Sequence, residues 1–252
     1  MKAFLIGLQF LTRIHLFTQT EWDEKQFGKS VSYFPLIGLV IGLVLSLIYW
    51  IMEPLKVPYL MAFMLVAGEF LVTGAMHADG LMDTCDGLFS GRSRERSLAI
   101  MKDSLIGSFG LLAFVFLVLW KTFSLAAAET GNGSLFILLI AMPVVGRLNM
   151  VISICEYPYA RPYGIGKSFA AYRSRHAVGT AFLCTLIPAL YFGAPYLVLM
   201  GVGLLTGLLL NRWIVGKIGG TTGDTYGCVT EVSEAVMAFA FVILSRGNVW
   251  FM

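Results

Sequence analysis

The chain has 252 residues, of which 58% are hydrophobic and only 13% are charged, and its formal net charge is +3. Soluble domains usually contain about 25% charged residues, so this composition excludes an ordinary soluble domain. The basic residues do not form a recognition helix, so nucleic acid is not a predicted partner. The sequence predicts an all-α, polytopic membrane bundle, one domain over residues 1–252 that has the lipid bilayer as a partner.

The N-terminal segment 3–17 is apolar but too short to cross a bilayer, and it contains Arg13 and His15. It could be mistaken for a signal peptide, but no small-residue cleavage site precedes the polar stretch that follows. We interpret it as a retained helix that lies in the membrane interface.

Seven later segments are apolar over about 20 residues, the length needed to cross the hydrocarbon core. The predicted spans are residues 31–53, 58–76, 105–127, 134–155, 177–193, 196–215 and 231–251. Only residues 192–195 separate the fifth span from the sixth, so a bent hairpin or a re-entrant segment is an alternative there.

Positive charge is concentrated in alternate connections between the predicted spans. Fourteen of the 18 basic residues lie in the N-terminal segment and in the connections 77–107, 156–176 and 212–230. Lys and Arg are retained on the cytoplasmic side of membrane proteins. We therefore predict a bacterial plasma (inner) membrane protein whose N-terminus and polar site are cytoplasmic.

The first of these connections contains the run HADGLMDTCDGLFSGR, with an acidic cluster of Asp79, Asp83 and Asp86 at i, i+4 and i+7. On a helix these offsets place three carboxylates on one face. Carboxylates that close repel each other unless a divalent cation lies between them. The spacing predicts a Mg²⁺ site that bridges to substrate phosphates, with Arg92 and Lys102 as phosphate clamps, and hence phosphoryl transfer.

Other polar residues of this connection have simpler explanations. For Arg94, Glu95 and Arg96 we favour a solvated loop whose charges set the topology. His77 either orients a carboxylate or the substrate, or it is a capping or interfacial histidine.

The second polar connection is YPYARPYGIGKSFAAYRSR, residues 157–175. Its prolines and glycines favour an ordered loop, in which Arg161 and Lys167 are candidates for binding an anionic substrate. A topology-setting loop with interfacial tyrosines is an equal alternative.

The third polar connection is KIGGTTGDTYG, residues 217–227. Its glycines, including Gly223, allow backbone N–H groups to turn toward an anion. Asp224, which lies between Thr222 and Thr225, is a candidate ligand for a cation or a ribose hydroxyl. We predict that Gly223, Asp224 and Thr225 contact substrate.

Ionisable residues also occur in or beside the apolar segments. Glu69 and Arg147 fall inside predicted spans, where charged groups are costly and tend to pair, so a Glu69–Arg147 pair is one arrangement. Neither is given a catalytic role. Glu231 and Glu234 are interpreted as acids that favour the N-terminus of the last predicted span.

The run 77–110 resembles the signature of the cobalamin synthase family, the adenosylcobinamide-GDP ribazoletransferases. FLTRI at 10–14, YFPLIGLVIG at 33–42 and GGTTGDTYG at 219–227 are similar to further motifs of that family. One departure is His15, which stands where the family pattern has proline.

This resemblance implies that a ribose hydroxyl of α-ribazole, or of its 5′-phosphate, is joined to the phosphate on the aminopropanol arm of adenosylcobinamide-GDP, with release of GMP. Mg²⁺ is the implied cofactor, held with the diphosphate by the acidic cluster. Asp103 or a member of that cluster is predicted to accept the hydroxyl proton. Arg92, Lys102 and Asp224 are predicted to position the nucleotide end.

Two other classes of function are alternatives. The stretch DTCDG, which contains Asp83 and Asp86, matches the start of the CDP-alcohol phosphotransferase motif, although the later spacing does not fit. A cation-coupled transporter would place the acids near the bilayer midplane between broken spans. The number of chains that assemble, including a homo-oligomer, is left open.

Overall fold

A computed structural model describes residues 2–16, 23–131 and 133–247 of the chain. Over these ranges the chain is helical and contains no strand, which confirms the all-α prediction. The α-helices are α1 (Lys2–Leu11), α2 (Glu24–Ser30), α3 (Phe34–Met52), α4 (Pro58–Thr73), α5 (Met76–Phe89), α6 (Arg94–Ile100), α7 (Ser108–Glu129), α8 (Leu135–Glu156), α9 (Ile165–Tyr172), α10 (Ala177–Leu186), α11 (Ala189–Ile218) and α12 (Gly223–Arg246).

Within the described ranges, five helical segments are long and apolar enough to cross a membrane. They are Glu24–Leu55, which includes α3, and the helices α7, α8, α11 and α12. The bent pair of α4 and α5 makes a sixth if the two are counted as one broken span. The helical membrane bundle is confirmed, with five or six spans rather than the predicted seven.

Two of the predicted spans differ from the structure. The segment 177–193 contains only the ten-residue α10 and the start of α11, and α11 is kinked at Gly193, where φ is +61°. Ten residues are too few to cross a bilayer. The last helix begins at Gly223 rather than at 231, and the predicted end at 251 lies outside the described residues.

The helix α8 forms the centre of the bundle. Most of its residues are apolar, on every side of the helix, and almost all of them are buried, including the polar Arg147, Asn149 and Ser153. A helix that is hydrophobic on every side needs neighbours on every side. The helices α3, α11 and α12 pack against it, and α10 adds a further contact. The short α1 buries Ile6, Leu8 and Leu11 against the same core.

A sharp turn between α4 and α5 places the polar site. Gly74 and Ala75 both adopt left-handed backbone conformations, with φ of +66° and +57°, and the two helix axes meet at 92°. Glycine accepts this conformation without a steric cost, whereas alanine accepts it at some cost. After the turn, α5 runs across the bundle and packs against α7 and α12.

Candidate active site

The crossing of α5 and α12 brings acidic residues of both helices together. A Cβ atom at Gly80 would lie 2.6 Å from the α12 backbone, and one at Gly227 would lie 2.7 Å from the α5 backbone. Only glycine permits so close an approach at these two positions. Because the helices touch here, Asp79 and Asp83 of α5 lie beside Asp224, in the first turn of α12.

Carboxylates outnumber their cationic partners at this crossing. The half-buried Asp83 carboxylate interacts electrostatically with those of Asp224, Asp79 and Asp86. Arg161 Nη2 donates to Asp224 Oδ2 at 2.7 Å. Among the described residues, neither Asp79 nor Asp83 forms an ion pair. The crossing therefore has a surplus of negative charge.

A cavity of about 340 Å³ opens beside this crossing and joins the three polar connections; we call it the main cavity. Six of the predicted site residues line it: His77, Asp79, Lys102, Arg161, Gly223 and Asp224. Aromatic side chains, among them Tyr159, Tyr163 and Tyr226, form much of the remaining wall. Predicted site residues as far apart in sequence as His77 and Asp224 thus share one chamber.

Two tyrosines shape the rim of the main cavity. Lys102 Nζ lies 5.4 Å from the centre of the Tyr163 ring, a cation–π distance. Burial raises the pKa of the Tyr159 hydroxyl, although the neighbouring Arg161 guanidinium opposes this shift. The Tyr159 hydroxyl therefore keeps its proton at neutral pH and is able to donate a hydrogen bond.

The chain matches a family model described as cobalamin-5-phosphate synthase over residues 3–242. The chain belongs to this family. A Brevibacillus brevis relative is 37% identical over 96% of this chain and 98% of its own length. Relatives from Fusobacterium nucleatum and Thermoanaerobacter pseudethanolicus are 35% and 34% identical, each over 97% of this chain and 98% of their own lengths. All three are named adenosylcobinamide-GDP ribazoletransferase.

No solved structure matches the chain. The predicted family is confirmed, and this family member is a transferase of cobalamin biosynthesis with several membrane-type helices. The prediction of an enzyme, rather than a transporter, is confirmed with it.

In this family member, hydrogen bonds from Arg94 link two walls of the main cavity. Its Nε donates to Ile218 O at 2.7 Å, and its Nη2 donates to Ala160 O at 3.4 Å. The same walls are joined by backbone bonds, from Ala160 N to Thr221 O and from Thr221 N to Pro158 O, each 2.8 Å long. The interpretation of Arg94 as a topology charge in a solvated loop was therefore incomplete.

Among the three predicted metal ligands, Asp86 is the one whose observed contacts differ most from that role. Its Oδ2 accepts from Gly107 N and its Oδ1 accepts from Gly110 N, both at 2.8 Å. The first N–H groups of a helix lack partners within the helix, and a carboxylate there satisfies them. Asp86 thus caps α7 from a buried position, and both of its carboxylate oxygens accept hydrogen bonds there.

Besides Asp86, five predicted site residues do not line the main cavity: Asp83, Arg92, Asp103, Lys167 and Thr225. Arg92 is exposed. Asp103 Oδ1 accepts from Leu105 N at 3.2 Å, and Lys167 Nζ donates to Pro162 O at 2.5 Å. Both side chains therefore form hydrogen bonds within their own segments of the chain.

Thr225 has a capping role, and its predicted contact with substrate stays a prediction. Thr222 N donates to Thr225 Oγ1 at 2.8 Å, and Thr225 N donates to Thr222 Oγ1 at 3.3 Å. This reciprocal pair is a capping box, and it starts α12 at Gly223. By fixing the first turn, it holds Asp224 at the edge of the main cavity.

A buried ion network, which the sequence analysis missed, lies in the bundle behind the cavity. Lys121 Nζ contacts Glu69 at 3.0 Å, Glu231 at 2.6 Å and Glu234 at 2.7 Å, and Arg147 pairs with Glu234. All five side chains are at most 3% exposed. The suggested Glu69–Arg147 pair is wrong, and so is the helix N-terminal role of the other two glutamates.

The three glutamates also form the one group of acids, among the described residues, whose oxygens converge closely enough for a shared metal ion. Lys121 already occupies that position. The sequence did contain a signal, because a lysine inside an apolar span needs a buried partner.

His77 connects this network to the main cavity. It is 1% exposed, and its Nδ1 lies 3.4 Å from Arg147 Nη2. Its Nε2 has no hydrogen-bond partner among the described residues, although the ring lines the main cavity. A buried nitrogen without a partner is costly unless a ligand supplies one.

Proposed function

We propose that this enzyme joins adenosylcobinamide-GDP to α-ribazole or its 5′-phosphate. A ribose hydroxyl oxygen forms a bond to the phosphorus on the aminopropanol arm, and the bond from that phosphorus to the departing GMP breaks. The names of the relatives support these substrates. The polar connections gather at one chamber and contain most of the basic residues, which supports a cytoplasmic site in the bacterial inner membrane.

The surplus of carboxylates beside the main cavity is the observation that carries this proposal. Asp79, Asp83 and Asp224 would repel an anionic diphosphate unless a cation came between them. An all-oxygen donor set fits Mg²⁺, which commonly bridges one or two carboxylates to substrate phosphates. When bound there, Mg²⁺ would neutralise charge on the diphosphate and on the departing GMP.

The basic and polar groups of the cavity then position the substrate. Arg161 and Lys102 line the cavity close to the acids, so they are placed to bind phosphate oxygens that the metal leaves free. His77 presents the unpartnered Nε2 to the same space. Asp79 is exposed at the cavity, and we assign it, rather than Asp103, to accept the hydroxyl proton.

The test is GMP release by the purified protein in lipid nanodiscs, with adenosylcobinamide-GDP and α-ribazole, in the presence of Mg²⁺ and after chelation. We expect GMP and a cobalamin product in a one-to-one ratio with Mg²⁺, and neither after chelation. A CDP-alcohol phosphotransferase would instead release CMP from a CDP-linked lipid. Absence of GMP at saturating Mg²⁺ would reject the proposed reaction, and full turnover after chelation would reject the metal.

A further inference from the structure

A second cavity, of about 450 Å³, adjoins the main cavity. Its walls come from the end of α1 and from the turn between α4 and α5, including Thr12, Arg13, His15, Gly74 and Ala75. The two cavities share Phe10, Met76 and Asp79 in their linings. Among these shared residues Asp79 is the one with an ionisable side chain, so the two chambers meet at a carboxylate.

Arg13 is held at this second cavity by its backbone and by the turn beside it. Its backbone N donates to Val72 O at 2.7 Å, which fixes the chain against the end of α4. Its guanidinium lies against Gly74, where a Cβ atom would overlap it. Glycine at this position therefore provides both the left-handed turn and the space for the arginine.

Within the part of the chain that the structure describes, the Arg13 guanidinium has no carboxylate partner, in contrast to Arg147 and Arg161. Those two pair with Glu234 and Asp224, whereas no described acid lies within 4 Å of the Arg13 side chain. Thr12 is already used locally, because its hydroxyl donates to Leu8 O and accepts from Ile14 N. His15 also lines this cavity, but its Nδ1 lies 2.9 Å from Arg13 O, so the permanent positive charge that the second cavity offers to an anionic ligand is that of Arg13.

We infer that the second cavity binds the acceptor nucleoside and that Arg13 binds the phosphate monoester of the 5′-phosphorylated form. This inference rests on the proposed function. A transferase with two substrates must bring both to one reacting phosphorus, and two cavities that meet at Asp79 provide that geometry. A planar guanidinium recognises phosphate through two parallel hydrogen bonds.

With the acceptor in the second cavity, every bond and proton of the chemical step is accounted for. The acceptor hydroxyl passes its proton to Asp79 as its oxygen bonds to the donor phosphorus in the main cavity. GMP leaves with the electrons of the broken P–O bond. The 5′-phosphate of the acceptor takes no part in the reaction, so Arg13 acts in specificity and not in bond making.

The test compares two acceptors, α-ribazole and α-ribazole 5′-phosphate, with wild-type protein and the variant Arg13→Gln. We expect KM for the phosphorylated acceptor to rise about 10- to 100-fold, the usual effect of losing a hydrogen bond to a charged group. KM for α-ribazole and for adenosylcobinamide-GDP should change less than twofold. Arg13→Lys keeps the charge, so KM for the phosphorylated acceptor should rise less. This second variant keeps the inference testable if Arg13→Gln fails to fold.

The matched control is Arg175→Gln, which removes an exposed arginine that does not line either cavity. Equal KM changes for both acceptors, or equal wild-type KM values for them, would overturn the inference. Nanodiscs with and without phosphatidylglycerol separate the two sources of phosphate. If the effect of Arg13→Gln followed the lipid and not the acceptor, a headgroup site would replace the inferred one. Absence of GMP with any acceptor would mark failure of the proposed function itself.

Discussion

Two groups of carboxylates in this molecule have opposite surroundings, although α12 contributes to both. Asp224 lies at the main cavity, and Glu231 lies about two helical turns further along the same helix, inside the bundle. The glutamates of the buried ion network contact Lys121 and Arg147. Among residues 2–16, 23–131 and 133–247, the aspartates at the crossing have one bonded cation, Arg161.

This difference separates structural acids from acids that await a ligand. Inside the bundle, the protein supplies its own counter-charges, because unpaired ions in a low-dielectric interior are strongly unfavourable. Asp79 is exposed at the main cavity, and the neighbouring Asp83 is only partly buried, so neither carboxylate is sealed off from solvent. A cluster of acids therefore indicates a metal site only where the chain has not already neutralised it.

Lys121→Met removes the central cation of the buried ion network, and we expect it to have the largest effect of the four substitutions. Removing the lysine leaves three buried glutamates facing each other, and loss of one partner of a buried ion pair typically costs about 3–5 kcal/mol. Thermal unfolding in detergent should show a much lower melting temperature. Lys56→Met is the control, since Lys56 pairs with Glu53 at an exposed site and should change little. Similar melting temperatures for both variants would contradict the comparison.

Asp83→Asn tests the proposed role of the aspartates at the crossing of α5 and α12. We expect GMP release to fall on the order of 100- to 1000-fold, because the neutral amide loses a charge that supports transition-state stabilisation through the metal. The melting temperature should stay the same or rise, since the variant relieves repulsion among the acids. Glu95→Gln removes an exposed acid nearby and serves as the control. Turnover retained at saturating Mg²⁺ would exclude Asp83 as a ligand.

Arg94→Gln should have an intermediate effect. Its bonds to Ile218 O and Ala160 O hold two cavity walls together, so we expect kcat/KM for GMP release to fall about tenfold. The measurement is steady-state kinetics beside Arg96→Gln, a neighbouring exposed arginine. A loss shared equally by both variants would mean that only the charge of the loop matters.

Asp86→Asn should have the smallest effect. It tests whether Asp86 is a helix cap and not a metal ligand like the other aspartates of the predicted cluster. As a cap of α7, its replacement should lower the free energy of unfolding by about 1 kcal/mol. The Mg²⁺ concentration that gives half-maximal rate should stay unchanged, and a titration of Mg²⁺ measures it. A marked shift to higher Mg²⁺ would return Asp86 to the set of ligands.

Several helices could be predicted closely from sequence because apolar length is a local property. The predicted spans 105–127 and 134–155 correspond to α7 and α8, which differ by at most three residues at either end. The prediction of a span at 177–193 was wrong because α10 ends at Leu186, a new helix begins at Ala189, and that helix is kinked at Gly193. The start of α12 was missed because the polar residues from 223 onward are buried by neighbouring helices, which hydropathy does not detect.

At the site too, features that depend on local sequence could be predicted, whereas features that depend on tertiary contacts could not. Asp79, Lys102, Arg161 and Asp224 were all predicted, since the basic connections were expected on one side of the membrane, and all four line one cavity. The cap formed by Asp86 could not be predicted, because it depends on where α7 begins in space. The ion network likewise requires knowledge of which helices are neighbours.

The buried ion network also has a consequence for how the protein is made. Lys121 lies on α7 and Arg147 on α8, but Glu231 and Glu234 belong to α12, which is synthesised after both of those helices. Until α12 enters the membrane, two cations inside apolar helices lack most of their counter-charge. Insertion of the last helix therefore completes the electrical neutrality of the bundle, and chains truncated before α12 should be retained by the insertion machinery or degraded.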